Sequence, residues 1–156
     1  MTNVILKSAL AAVVAFAGHA AVAEPNLVAS LNKNTGNVKI QNIGAGIAPK
    51  TVASVRCNGA CPNPTPAQLA GYQSPLVPNG LAIKVPAISA GGTFNHQISF
   101  WNDLEWPVGT ATLTVCADAL NDAVESMDRD NCASVRKVTR KGPKTPSASN
   151  TLRMNN

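Results

Sequence analysis

Aromatic residues are scarce in this chain of 156 residues, which holds three Phe, two Trp and one Tyr. A core poor in rings must be built from Val, Ile, Leu and Ala, residues that suit thin, pleated layers. Histidine is scarcer still, with only His19 and His96. A nucleophilic triad needs a base, an orienting acid and a nucleophile within reach, and no GxSxG elbow is present to supply the last. A CxxC motif is also missing, which argues against dithiol redox chemistry. The one long apolar run, Ala9 to Ala17, is shorter than the roughly 20 residues a membrane-spanning helix needs. These absences direct the reading away from catalysis.

Much of what is present supports export. Residues 1–23 carry one positive charge at Lys7, an apolar stretch, and the small-x-small site Ala21-Val22-Ala23, the pattern of a secretory signal peptide. Cleavage there leaves Glu24 first, with His96 as the remaining histidine, and no transmembrane segment is expected after it. The remaining 133 residues suit one domain, long enough to bury about two-thirds of the unfolded surface. Pro and Gly number 11 each across the chain, which favours short strands and frequent turns.

The most informative stretch runs from Cys116 to Cys132. Before it, GTATLTVC alternates, with Ala111, Leu113 and Val115 on one face and Thr110, Thr112, Thr114 and Cys116 on the other. After it, Ala133 and Val135 share a face while Cys132, Ser134 and Arg136 take the opposite one. Both cysteines are therefore in outward phase, and a bridge can close between two antiparallel neighbours. Four cysteines in an exported chain imply disulfides before metals. Cys57 and Cys61, in CNGAC, are near enough to staple a turn. The residues favour the pairing 57–61 with 116–132; an inter-sheet bridge is the alternative, because Cys57 is in core-facing phase.

The loop between Cys116 and Cys132 carries Asp118, Asp122, Glu125, Asp128 and Asp130, five of the eight acidic residues. With Asn121 these side chains offer several of the oxygens a calcium ion requires. No glycine stands at the EF-hand position, and the same side chains also suit capping of the loop's own backbone amides. No other cofactor is expected.

Several features together resemble the CARDB family, the cell-adhesion-related domain found in bacteria. A strand ends in Ala117-Asp118, followed by Asn121, Glu125-Ser126, Asp128 and Asp130-Asn131 before a last strand. Asn42, Gly44 and Ala48 resemble the family's turn after its second strand, and Ala90-Gly91-Gly92 before TFNHQISFW resembles its apolar-turn-strand step. The resemblance implies an immunoglobulin-like antiparallel β-sandwich of about seven strands over residues 24–138. It also implies a non-catalytic module for binding or cell adhesion; joined to the export signal, this leads us to expect a module that recognises a protein partner in the periplasm or outside the cell.

The strands expected from alternation are Leu27 to Leu31, NVKIQN, TVASVRC, LAIKVPAIS, TFNHQISFW, GTATLTVC and NCASVRKVT. No helical segment is expected. Between Asn58 and Gly80, Pro62, Pro64, Pro66, Pro75 and Pro78 rule out a central strand. In TFNHQISFW, His96 shares the core-facing phase with Phe94, Ile98 and Phe100, as a partly buried histidine with a hydrogen-bond partner. Trp101 and Trp106 flank the loop NDLE; they suit either a contact surface or a plug for one end of the sandwich. Asp103 and Glu105 in that loop could imitate an acid–base pair, but neighbouring loop acids are usually solvated.

From Arg136 the chain holds six basic residues and no acidic one. Without Lys7 the count is twelve basic against eight acidic, +4; without those six it is six against eight, −2. The basic character belongs to the end of the chain, so no nucleic-acid surface is expected. Residues 139–156 read as a disordered basic tail, which provides the alternative role of a structural envelope component tethered to anionic surfaces.

Overall fold

The computed structural model describes residues 23–121, 123 and 131–141. The expected signal sequence up to Val22 and the tail beyond Lys141 lie outside these residues. Seven strands form: β1 Leu27–Asn32, β2 Asn37–Asn42, β3 Thr51–Gly59, β4 Leu81–Val85, β5 Thr93–Gln97, β6 Gly109–Cys116 and β7 Cys132–Thr139. They make two antiparallel sheets, one of order β1-β2-β5 and one of order β4-β3-β6-β7. This is the immunoglobulin-like sandwich expected from the sequence.

Period-two alternation drives the packing. Leu27, Ala29, Val38 and Ile40 from the smaller sheet face Ala53, Val55, Ile83, Val85, Leu113 and Val115 from the larger one, and all are buried. Fully burying each Val, Leu or Ile contributes about 1.5–3 kcal/mol. Ile98, Phe100 and Trp101 close the sandwich at one end.

Strand directions give the two ends different chemistry. At one end lie the close of β1, β3, β5 and β7 and the start of β2, β4 and β6. We call this the tryptophan end. The other end holds Thr51, Asn42, Cys116 and Cys132, and from it the acidic loop departs.

Three differences from the sequence reading stand out. The strand expected through TFNHQISFW stops at Gln97; Trp101–Asp103 form a 3-10 turn. Apolar alternation continues past Gln97 because Ile98 and Phe100 are buried, but their backbone leaves the ladder. A short helix, α1 Pro66–Leu69, stands where no helix was expected. Thr65 caps it by accepting from the Gln68 amide at 3.3 Å, and the Gln68 side chain accepts from the Thr65 amide at 2.8 Å. This reciprocal cap, with Pro66 in the first turn, satisfies free helix-end donors. Finally, β4 stops at Val85 although a strand was expected through LAIKVPAIS, and Ile88 makes only an isolated bridge with Ala48.

The cysteines are joined as Cys57–Cys61 and Cys116–Cys132. Cys116 and Cys132 sit directly opposite in the β6–β7 register. By the chain-entropy account, bridging the longer loop contributes about 3 kcal/mol and the shorter about 2 kcal/mol. Replacing Cys116 and Cys132 by serine should therefore lower the thermal midpoint more than replacing Cys57 and Cys61. Calorimetry on the two double variants checks this; a reversed order would point to strain or unfolded-state structure instead.

Candidate functional site

The tryptophan end is assembled from segments far apart in sequence. Trp101 is buried, 3% exposed, and its indole nitrogen donates to the Lys33 carbonyl at 3.2 Å. Trp106 is half-buried beside it, with ring centroids 5.2 Å apart. The Lys137 ammonium lies 4.4 Å from the Trp106 ring centre and donates to the Lys33 carbonyl at 2.8 Å. In return, the Lys33 ammonium donates to the Arg136 carbonyl at 2.9 Å. A cation over an indole face is stabilised by the ring quadrupole. Burial, and then the charge of Lys33, hold the Lys137 amine below its ordinary value. These contacts tie β7 to the β1–β2 turn and to the Trp101–Trp106 loop.

Most of the Trp101 ring is spent in closing the core, and the residue also lines the cleft described next. Trp106 keeps one side toward a cleft of about 750 Å³. Leu69, Val77, Leu81, Phe100 and Leu104 line that cleft, together with the Cys57–Cys61 bridge. Its outer wall is the proline-rich excursion between Asn58 and Gly80. Tyr72 pins this wall to the sandwich: its hydroxyl accepts from the Ser99 amide and meets His96 Nε2, each at 3.2 Å, and its ring meets Phe100 edge-on. His96 is half-buried on the edge strand β5, and burial lowers its pKa from the ordinary 6.5. Asp103 and Glu105 are both exposed.

The sequence did not reveal the cleft. Its visible signals were the Thr65-Pro66-Ala67-Gln68 capping pattern and the flanking prolines, which mark a built loop without saying what it covers.

The described part of the acidic loop, Asp118 to Asn121 with Ala123, lies at the opposite end. Asp118 is buried; its two carboxylate oxygens accept from the Thr51 hydroxyl and from the Ala123 amide. It serves there as a cap between β3 and the loop, with both oxygens already engaged. Asn121 is exposed and holds a left-handed backbone at φ 55. Asp122, Glu125, Asp128 and Asp130 lie outside the described residues. Among the described residues no three His, Cys, Asp or Glu side chains cluster as metal ligands. Nor is any described helix long and apolar enough to cross a membrane.

An immunoglobulin-like sandwich with an apolar cleft under one set of end loops defines the class. A family model, CARDB, matches residues 20–135, and the chain belongs to that family. The CARDB domain of a Pyrococcus furiosus protein, solved in complex with di-metal ions, is similar in fold. It aligns with a TM-score of 0.50 and 16% identity over 77% of this chain and 91% of that one. A Methanosarcina acetivorans domain, named as a candidate cell surface protein, aligns with a TM-score of 0.49 and 16% identity over 77% of this chain and 95% of that one. No curated protein matches the chain.

Proposed function

We propose that this protein is an exported, non-catalytic binding module that engages a protein partner, in the periplasm or outside the cell, through the cleft at its tryptophan end. The cleft carries the reading. It is concave, mostly apolar and braced on both sides, with a few polar groups at its margin, the usual character of a binding site. Its size falls within the range of about 300–1,000 Å³ typical of such sites. Loops displayed on a rigid sandwich are also where such folds place recognition. Membership of CARDB, a non-enzymatic family, agrees with a binding role.

A second reading is supported by charge. Lys33, Arg136, Lys137, Arg140 and Lys141 gather at the same end, where the tail begins. Several such cations acting together suit attachment to anionic envelope surfaces.

One experiment separates the two. A photo-crosslinking side chain is placed at Asn79, on the cleft wall, and in a control at Lys39, on the outer face of β2. Both are expressed in the native envelope, with and without residues 139–156. We expect one protein to be captured from Asn79 alone, to persist in high salt, and to be lost when Trp106 becomes alanine. Recovery of only lipid or polysaccharide, and only with the tail present, would assign the protein to tethering.

A further inference from the structure

We infer that the cleft takes an extended segment of the partner protein as a short extra strand along the free end of β3, with an acidic side chain of that segment meeting Arg56. The inference rests on the cleft being the partner site and specifies how the partner is held there.

The first observation is a mismatch in pairing. β3 pairs with β6 from Ser54 to Gly59 but with β4 only from Thr51 to Val55. From Arg56 to Gly59 the strand therefore has a neighbour on one side alone. Such an edge presents backbone donors and acceptors that template another strand, and proteins usually cover it. Here the covering segment is the proline-rich excursion. It is held to the edge at its two ends, by the Cys57–Cys61 bridge and by Gly80 against Arg56, and Leu69 and Val77 line the cleft between. Arg56, Asn58 and Gly59 are exposed and Cys57 is half-buried; the Gly59 carbonyl already accepts from the Cys61 amide at 2.8 Å, so the open stretch of edge centres on Cys57.

The second observation is charge. Arg56 is the one charged residue among those lining the cleft. No hydrogen bond or ion pair of its guanidinium is found among the described residues, and its stem runs beside Gly80. A guanidinium at the side of an apolar cleft favours a carboxylate, which it grips by two parallel hydrogen bonds.

Together these define the occupant. Four edge residues span about 13 Å at 3.3 Å per residue, so the added strand is short. Its alternate side chains enter the cleft among Leu69, Leu81 and Trp106, and the intervening position carries the acid. In this mode main-chain bonds give affinity and side-chain pockets give specificity. A proline at the centre of the segment is excluded, because it cannot donate to a ladder.

The test uses the oxidised mature chain, isotopically labelled, and a panel of acetylated hexapeptides with valine at alternate positions and Glu, Lys or Thr between. We expect the Glu peptides to bind about tenfold more tightly than the Lys peptides. They should slow amide exchange at β3 positions from Arg56 to Gly59 and shift the Trp106 indole signal. Methylating the peptide amides that face β3 should abolish this, while methylating those that face away should not. Arg56→Glu should reverse the preference to Lys peptides, in a chain whose spectrum stays folded. Equal binding of both methylated series, with shifts still confined to the cleft, would overturn strand addition and leave the cleft as the partner site. No perturbation of the cleft by any peptide at millimolar concentration would overturn the inference as well. The cleft reading falls separately, if Asn79 captures no protein in the envelope experiment.

Discussion

Alanine at position 42 should cost the fold about 3–5 kcal/mol, because burial leaves several polar groups without partners at about 1–3 kcal/mol each. Asn42 closes β2 and is fully buried. Its carbonyl oxygen accepts from the backbone amides of Asn26 and Gly44, each at 3.1 Å. Its amide nitrogen donates to the carbonyls of Gly46 at 2.7 Å and Ile88 at 3.0 Å. One side chain thus latches the segment before β1, the turn after β2 and the chain before β5, which are otherwise joined by a few backbone bonds, among them the isolated Ala48–Ile88 bridge. Asn42→Asp keeps the two acceptor bonds but sets a carboxylate against two carbonyls, so it should be no better than alanine. Urea unfolding of the oxidised protein measures the effect as a shift in midpoint at constant slope. A loss below about 1 kcal/mol would mean that water enters and replaces the amide. Domains of this size have about 5–15 kcal/mol to lose in all.

The strands were legible in the sequence wherever one face is buried and the other is not. In β6, Ala111, Leu113 and Val115 are inward while the threonines and Cys116 point out. That phase also places Cys116 opposite Cys132, since outward residues of neighbouring strands meet. Alternation reports burial, however, and not hydrogen bonding. Hence Ile98 and Phe100 read as a continuation of β5 although the chain there turns toward Trp101. Helix α1 is a single turn, too short for any 3.6-residue pattern, and only its cap betrays it. The cleft was illegible for a different reason. It depends on β3 outrunning β4 by four residues, on Tyr72 pinning the proline-rich wall, and on Trp106 being held by Lys137. Those are contacts between distant segments, and no local spacing encodes them. The two tryptophans were likewise noticed as a pair, but their unequal burial, with both lining the cleft, follows from the β1–β2 turn beneath them.

That turn supports the second large prediction. Gly36→Ala should cost about 3–5 kcal/mol, combining left-handed backbone strain with overpacking, each worth about 1–3 kcal/mol. Gly36 holds φ +74, and a Cβ there would lie 2.2 Å from Cγ of Trp101 and 2.5 Å from its Cβ. Little can move to make room. The Gly36 amide donates to the Asn32 carbonyl at 2.8 Å, and its own carbonyl accepts from Ile98 at 3.2 Å. The indole opposite is held by its bond to Lys33 and by Trp106 behind it. Gly91 provides the control: it has φ +71, but nothing lies within 4 Å of where its Cβ would stand. Gly91→Ala should therefore show the backbone term alone, about 1–2 kcal/mol. The difference between the two variants measures the contact with Trp101, by thermal melts together with near-ultraviolet circular dichroism of the tryptophans. Equal losses would show that Trp101 yields freely, and the tryptophan end would then be a poor support for a binding cleft. A larger loss at Gly36, with an altered tryptophan signal, would make this glycine the pivot on which the cleft wall is set.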